Sequence, residues 1–287
     1  MPSSSEKFVL PESTPQLSET TVNIAGILVY IYGLDELSPE QKKDVVVWFH
    51  AHGRTRSHID GAQIGYQVIH GIRQKYGETK KGLILVTIDS RNHGTRHVDD
   101  VSIKAWNSGN KHHAQDMLSM VDGTALDYST IIKYLHSYTG NLFTAKKFIP
   151  SGVSLGGHVA WNLIARHPEI DAGIPIVGTP DLTGLLIDRL GKYKTVEDVP
   201  AGTEEWPKSI EKLIAERDAL IATIKNKNLL VLNGADDTLV PDDFTKPWIE
   251  KYGANNDTEY YEFENVGHYL SWGGINKIED FLIQYLQ

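Results

Sequence analysis

The stretch Ser151-Gly152-Val153-Ser154-Leu155-Gly156-Gly157-His158 constrains the fold more than any other part of this chain. The apolar run Lys147-Phe148-Ile149-Pro150 leads into it, and the helix-like His158-Val159-Ala160-Trp161-Asn162-Leu163-Ile164-Ala165 leads out. A serine between a strand and a helix, with glycine two residues away on each side, is the pattern of a sharp elbow that presents a nucleophile. The turn forces the serine into strained backbone space and needs tiny neighbours at 152 and 156. Gly157 lets the helix pass close to the sheet. Ser154 would then stand at a helix N-terminus, where free N–H groups and the dipole favour developing negative charge.

The rest of the chain reads as the sheet that such an elbow requires. Asp44-Val45-Val46-Val47-Trp48-Phe49-His50, Gly82-Leu83-Ile84-Leu85-Val86-Thr87-Ile88-Asp89 and Asn228-Leu229-Leu230-Val231-Leu232 are continuous apolar runs. Runs of that kind suit strands buried on both faces of a parallel sheet. Thr21 to Tyr32 reads as a further β-type run, as do Asp171 to Val177 and Thr258 to Phe263. Helices are expected over about 60–76, 114–138, 242–252 and 275–286. In the second of these, Met117, Met120, Val121, Leu126, Ile131 and Leu135 are expected core positions. Strand–helix alternation predicts an α/β domain over 21–287 with a mostly parallel sheet flanked by helices. Residues 1–20, rich in Ser, Glu and Pro, read as a flexible or wrapping arm. Residues 178–226 break the alternation and are expected to form a short cap.

Composition closes off several alternatives. A chain of 287 residues, 40% hydrophobic and 23% charged, suffices for one large core. It has no cysteine, hence no disulfide, thiolate metal site or cysteine nucleophile. Its formal net charge of −9, with Lys and Arg scattered, argues against nucleic acid as a partner. No apolar run of about 18 residues is present, so no membrane span is expected. The N-terminus lacks a basic segment followed by an apolar one, so a cytoplasmic location is expected.

Acyl transfer by serine needs a base for the hydroxyl proton and a carboxylate to orient that base. Gly234-Ala235-Asp236-Asp237-Thr238-Leu239-Val240-Pro241 follows the run ending at Leu232, and Asn265-Val266-Gly267-His268-Tyr269 follows Phe263. Together with His52-Gly53-Arg54 and Gly152-Val153-Ser154-Leu155-Gly156, these motifs resemble the α/β-hydrolase superfamily, nearest to its dienelactone-hydrolase-like and peptidase-like serine esterases. The resemblance covers about residues 44–287. It implies Ser154 as nucleophile, Asp237 as acid and His268 as base, with Asp236 as the second choice for the acid. It also implies oxyanion donors from the backbone N–H of Leu155 and of Arg54, with Gly53 or Thr55 as alternatives to Arg54. The loop Asp89-Ser90-Arg91-Asn92-His93-Gly94 reads as structural or site-lining.

Trp106, His158 and Trp272, and also His112, are candidates for lining a substrate pocket. A metal reading of His50-Ala51-His52 fails, because an H-x-H-x-D-H pattern would need Asp and His where Arg54 and Thr55 stand. Neither metal nor cofactor is expected. The expected activity is hydrolysis of a small or medium soluble carboxylic ester through an acyl-enzyme. The same triad would serve a thioesterase, an amidase or peptidase, or a C–C bond hydrolase. A ligand-binding protein with a slow or vestigial triad is the reading from another class.

Overall fold

The computed structural model describes every residue except Met1, Lys192, Lys194 and Ala201. Its sheet has eight strands: β1 (Glu19–Ile24), β2 (Ile27–Tyr32), β3 (Val45–Ala51), β4 (Gly82–Thr87), β5 (Ala145–Val153), β6 (Ala172–Ile176), β7 (Asn228–Gly234) and β8 (Asp257–Phe263). The order across the sheet is β1-β2-β4-β3-β5-β6-β7-β8. β1 and β2 pair antiparallel, β2 joins β4 antiparallel, and every pairing from β4 to β8 is parallel. The run expected over Thr21 to Tyr32 is therefore a hairpin. Ala25 and Gly26 turn it, both at positive φ (51° and 85°) as a tight hairpin turn requires. Alanine is rarely found in that conformation, which is why the turn does not announce itself in the sequence.

Strand alternation divides the core. Val45, Val47 and Phe49 of β3 face one cluster, with α2 (His113–Thr139), α3 (Leu155–Arg166) and α4 (Leu182–Leu190) above them. Val46 and Trp48 face the other, beneath α1 (His58–Tyr76) and α7 (Trp272–Ile283). Because both faces are covered, every residue of β3 is buried, which explains its unbroken apolar run. In α2 the buried stripe runs through Met117, Val121, Ala125, Tyr128, Ile131 and Leu135. Leu126, an expected core position, lies about 100° around the helix from Ala125 and is 49% exposed.

Between β6 and β7 the chain forms α4 and then α5 (Lys208–Ile221). Leu182, Leu185, Leu186 and Ile214 anchor this segment in the core cluster. After β7 come a 3₁₀ turn at Asp242–Phe244 and α6 (Lys246–Tyr252), where one helix over 242–252 was expected. The N-terminal arm wraps. Lys7 bridges Ser271, Phe8 N–H donates to Leu270 O (2.9 Å), Trp272 N–H donates to Glu6 O (2.9 Å), and Phe8 packs edge-on against Trp272.

Candidate active site

The carboxyl ends of the parallel strands gather the expected residues. Ser154 sits between β5 and α3 at φ 59°, ψ −114°. For a residue bearing a Cβ this is strained by about 1–3 kcal/mol, so the surroundings must impose it. Ser154 N–H donates to Ile176 O (2.9 Å), and Ser154 O accepts from His158 N–H (3.1 Å). The two flanking glycines are steric necessities. A Cβ on Gly156 would collide with Ala51 O, and one on Gly152 with Gly156 O.

Ser154 Oγ is 2.7 Å from His268 Nε2, and His268 Nδ1 is 2.7 Å from Asp237 Oδ2. Asp237 follows β7 and is buried, and its Oδ1 accepts from the N–H groups of Leu239 and Val240 (both 2.9 Å). Those bonds aim its other oxygen at the imidazole. With Nδ1–H donated to Asp237, Nε2 is left to accept the serine proton. Asp236 is exposed, and its N–H closes the loop onto Val266 O (2.9 Å). The carboxylate brought to His268 is therefore that of Asp237.

Leu155 opens α3, so its N–H has no partner within the helix. The facing loop after β3 brings Gly53 beside Ser154, with Arg56 N–H donating back to Gly53 O (3.2 Å). His52 fixes this loop. Its Nε2 accepts from Ser90 N–H (2.9 Å), so Nδ1 carries the proton and donates to Gly53 O (2.7 Å). Burial lowers His52 to about 4 and His50 to about 3, so both remain neutral. His50 Nδ1 pairs with Ser151 Oγ (2.8 Å), which also receives Trp48 Nε1–H (2.7 Å). These two histidines fasten strand ends together.

A cavity of about 650 Å³ opens above Ser154 and His268. His158 lines it. Burial holds this imidazole well below its usual value, and its Nδ1 accepts from Thr179 N–H (3.1 Å). The other aromatic candidates lie elsewhere. Trp106 turns its edge to His113 at a 4.9 Å centroid distance, Trp272 packs on Phe8, and His112 is exposed beside Glu204. An aromatic residue type gives no direction, and in each case a local partner claims the ring. Sequence reasoning missed Arg189, which α4 delivers to the cavity, and Lys7 to Leu10, which form one of its walls. No local pattern marks either of them.

No family model matches the chain. A curated protein, the HTH-type transcriptional regulator MntR of Geobacillus thermodenitrificans (strain NG80-2), is 25% identical over 114 residues, 36% of this chain and 76% of that protein. That partial likeness shows no family, and the sheet here runs from Glu19 to Phe263. In structure the chain is similar to TT1662 from Thermus thermophilus (TM-score 0.64, 17% identity, 95% of this chain and 99% of that one). It is also similar to the Pyrococcus furiosus esterase Pf2001 (TM-score 0.56, 17% identity, 98% of each chain). The acylaminoacyl peptidase of Pyrococcus horikoshii matches 96% of this chain with 42% of its own (TM-score 0.62, 13% identity). At these identities the likeness is one of fold.

Proposed function

We propose that this chain, which has the α/β-hydrolase fold, is a serine hydrolase that cleaves small or medium soluble carboxylic esters. The observation that carries this reading is the pair of 2.7 Å contacts linking Asp237, His268 and Ser154 at the floor of the cavity. In it, Ser154 Oγ attacks the ester carbonyl while His268 Nε2 takes its proton. The new C–O bond leaves an oxyanion facing the N–H groups of Leu155 and Arg54, each such donor contributing about 10²–10³ in rate. Collapse expels the alcohol, which receives the proton from His268. Water, deprotonated by the same imidazole, then releases the acid and restores Ser154. Every step uses groups of this chain. Asp237 keeps the imidazole in its required tautomer, and the segment between β6 and β7, read as a cap, brings Arg189 to the cavity.

Turnover of p-nitrophenyl acetate and butyrate by the parent and by Ser154→Ala tests the reading. The substitution is expected to lower kcat on the order of 10⁶-fold. Equal rates from both proteins would overturn it.

A further inference from the structure

The cavity above Ser154 is cationic in a chain that is acidic overall. The formal net charge is −9, yet among the described residues Lys7, Arg54, Arg56, Lys104 and Arg189 line the cavity against a single carboxylate, that of Asp60. Asp60 is already engaged, facing Arg56 at 3.7 Å and accepting from Ser57 N–H (3.1 Å).

Arg54 and Arg189 are the informative pair. They reach the cavity from different walls, Arg54 from the loop after β3 and Arg189 from the last turn of α4. Arg54 Nη1 and Arg189 Nε are buried and have no hydrogen-bond partner among the described residues. The bond that Arg189 does make, Nη2 to Leu239 O (2.9 Å), ends on a carbonyl and neutralises nothing. The carboxylates of Asp237 and Asp188 attract Arg189 without forming an ion pair with it, and the oxygens of Asp237 are taken up by His268, Leu239 and Val240. The two guanidiniums also act on each other. Burial and Arg54 push Arg189 down to about 10, and burial with both arginines holds His113 at about 3. Buried charges left without partners are costly, and a protein tolerates them where a ligand completes the pairing. The guanidinium fork matches the oxygens of a carboxylate or a phosphate.

We infer that the substrate of this site carries an anionic group, a carboxylate or a phosphate, held between Arg54 and Arg189 while its ester carbonyl faces Ser154. The inference rests on the serine hydrolase reading and names its substrate class. That class is an ester with a charged acyl or alcohol portion, which neutral p-nitrophenyl esters represent poorly.

The full-length protein is assayed by proton release on matched ester pairs. These are monoethyl glutarate against ethyl valerate, 4-acetoxybenzoate against its methyl ester, and 4-acetoxyphenyl phosphate against phenyl acetate. At least one anionic ester should exceed its neutral counterpart in kcat/KM by about tenfold or more. That ratio should collapse towards one in Arg54→Gln and Arg189→Gln and be partly kept in Arg189→Lys. The pair with the largest ratio identifies carboxylate or phosphate. Neutral esters turned over as well as every anionic one, or a ratio that survives both Gln variants, would overturn the inference. If the parent hydrolyses nothing, the serine hydrolase reading has failed, and calorimetric titration of glutarate and inorganic phosphate decides the anion site by itself. Binding lost in both Gln variants would uphold it, and no binding by the parent would overturn it.

Discussion

Two strand ends in this molecule carry the same pair of side chains. After β4, Asp89 Oδ1 meets His58 Nδ1 at 3.0 Å, and after β7, Asp237 Oδ2 meets His268 Nδ1 at 2.7 Å. Both carboxylates are buried, and the partners stand 31 residues apart in each case. The pairs differ in what lies beyond the imidazole. The His58 ring stacks on Tyr30 at 3.7 Å, while His268 Nε2 meets Ser154 Oγ. Asp89 also accepts from His58 N–H, Thr95 N–H and Thr95 Oγ1, so it ties the loop after β4 to the start of α1. An Asp–His pair can orient an imidazole for proton transfer only when a hydroxyl or similar group waits at the other nitrogen. Otherwise it is a fastening between two segments.

The largest contrast between the pairs is expected in kcat. Asp237→Asn should lower ester turnover on the order of 10⁴-fold by disturbing the imidazole tautomer. Asp89→Asn should leave turnover within about threefold, because none of its partners touches the reacting atoms. A comparable loss in both variants would break the distinction.

Next in size is the arm, whose first ten residues pack on the segment that follows His268. It bridges Ser271, and Tyr269 donates its hydroxyl to Ser5 O (3.1 Å), immediately after His268. Deleting residues 2–10 should reduce kcat by up to about 10²-fold through misplacement of His268, and a deletion variant with parental kcat would contradict this.

Stability should invert the order. Asp89→Asn forfeits acceptor capacity for several donors and is expected to cost about 1–3 kcal/mol in chemical denaturation. Those donors hold the Asp89 carboxyl far below its usual range, with burial opposing them. Its contribution is therefore present above the ordinary carboxylate value and is lost as pH falls through the lowered one. Acid unfolding of Asp89→Asn should begin from a lower baseline and be less steep than that of the parent.

Glu279 supplies a test of opposite sign. It is buried on α7 over Gly71 of α1, and burial raises its carboxyl to about 7. A raised carboxyl favours the fold fully below pH 4.5 and loses that contribution as pH rises through about 7. Glu279→Gln should therefore stabilise the protein above pH 7 by about 2–3 kcal/mol and have little effect at pH 4.5. Thermal melts at the two pH values check this.

The parts of the site legible in the sequence were those set by local turns. Gly152 is dictated by the backbone of the elbow itself and Gly156 by the end of β3 packed against it, both at a turn the G-x-S-x-G pattern marks, and Asp237 and His268 each follow a strand directly. What remained hidden depends on directions that only the assembled fold fixes. The loop from Asp89 reads as structural or site-lining, but nothing near His58 shows that it is Asp89's partner. Arg189 reads as one more charged residue of the expected cap, and Lys7 to Leu10 as part of a flexible or wrapping arm. The hairpin at Ala25-Gly26 hid because alanine occupies a conformation usually left to glycine or asparagine.

The most direct test of the account is the rate at which a fluorophosphonate labels Ser154, followed by intact mass in the parent, Asp237→Asn and Asp89→Asn. One adduct on Ser154 is expected, formed by the parent and Asp89→Asn at similar rates and by Asp237→Asn far more slowly. Labelling at the same rate in all three proteins, or an adduct on another residue, would contradict it.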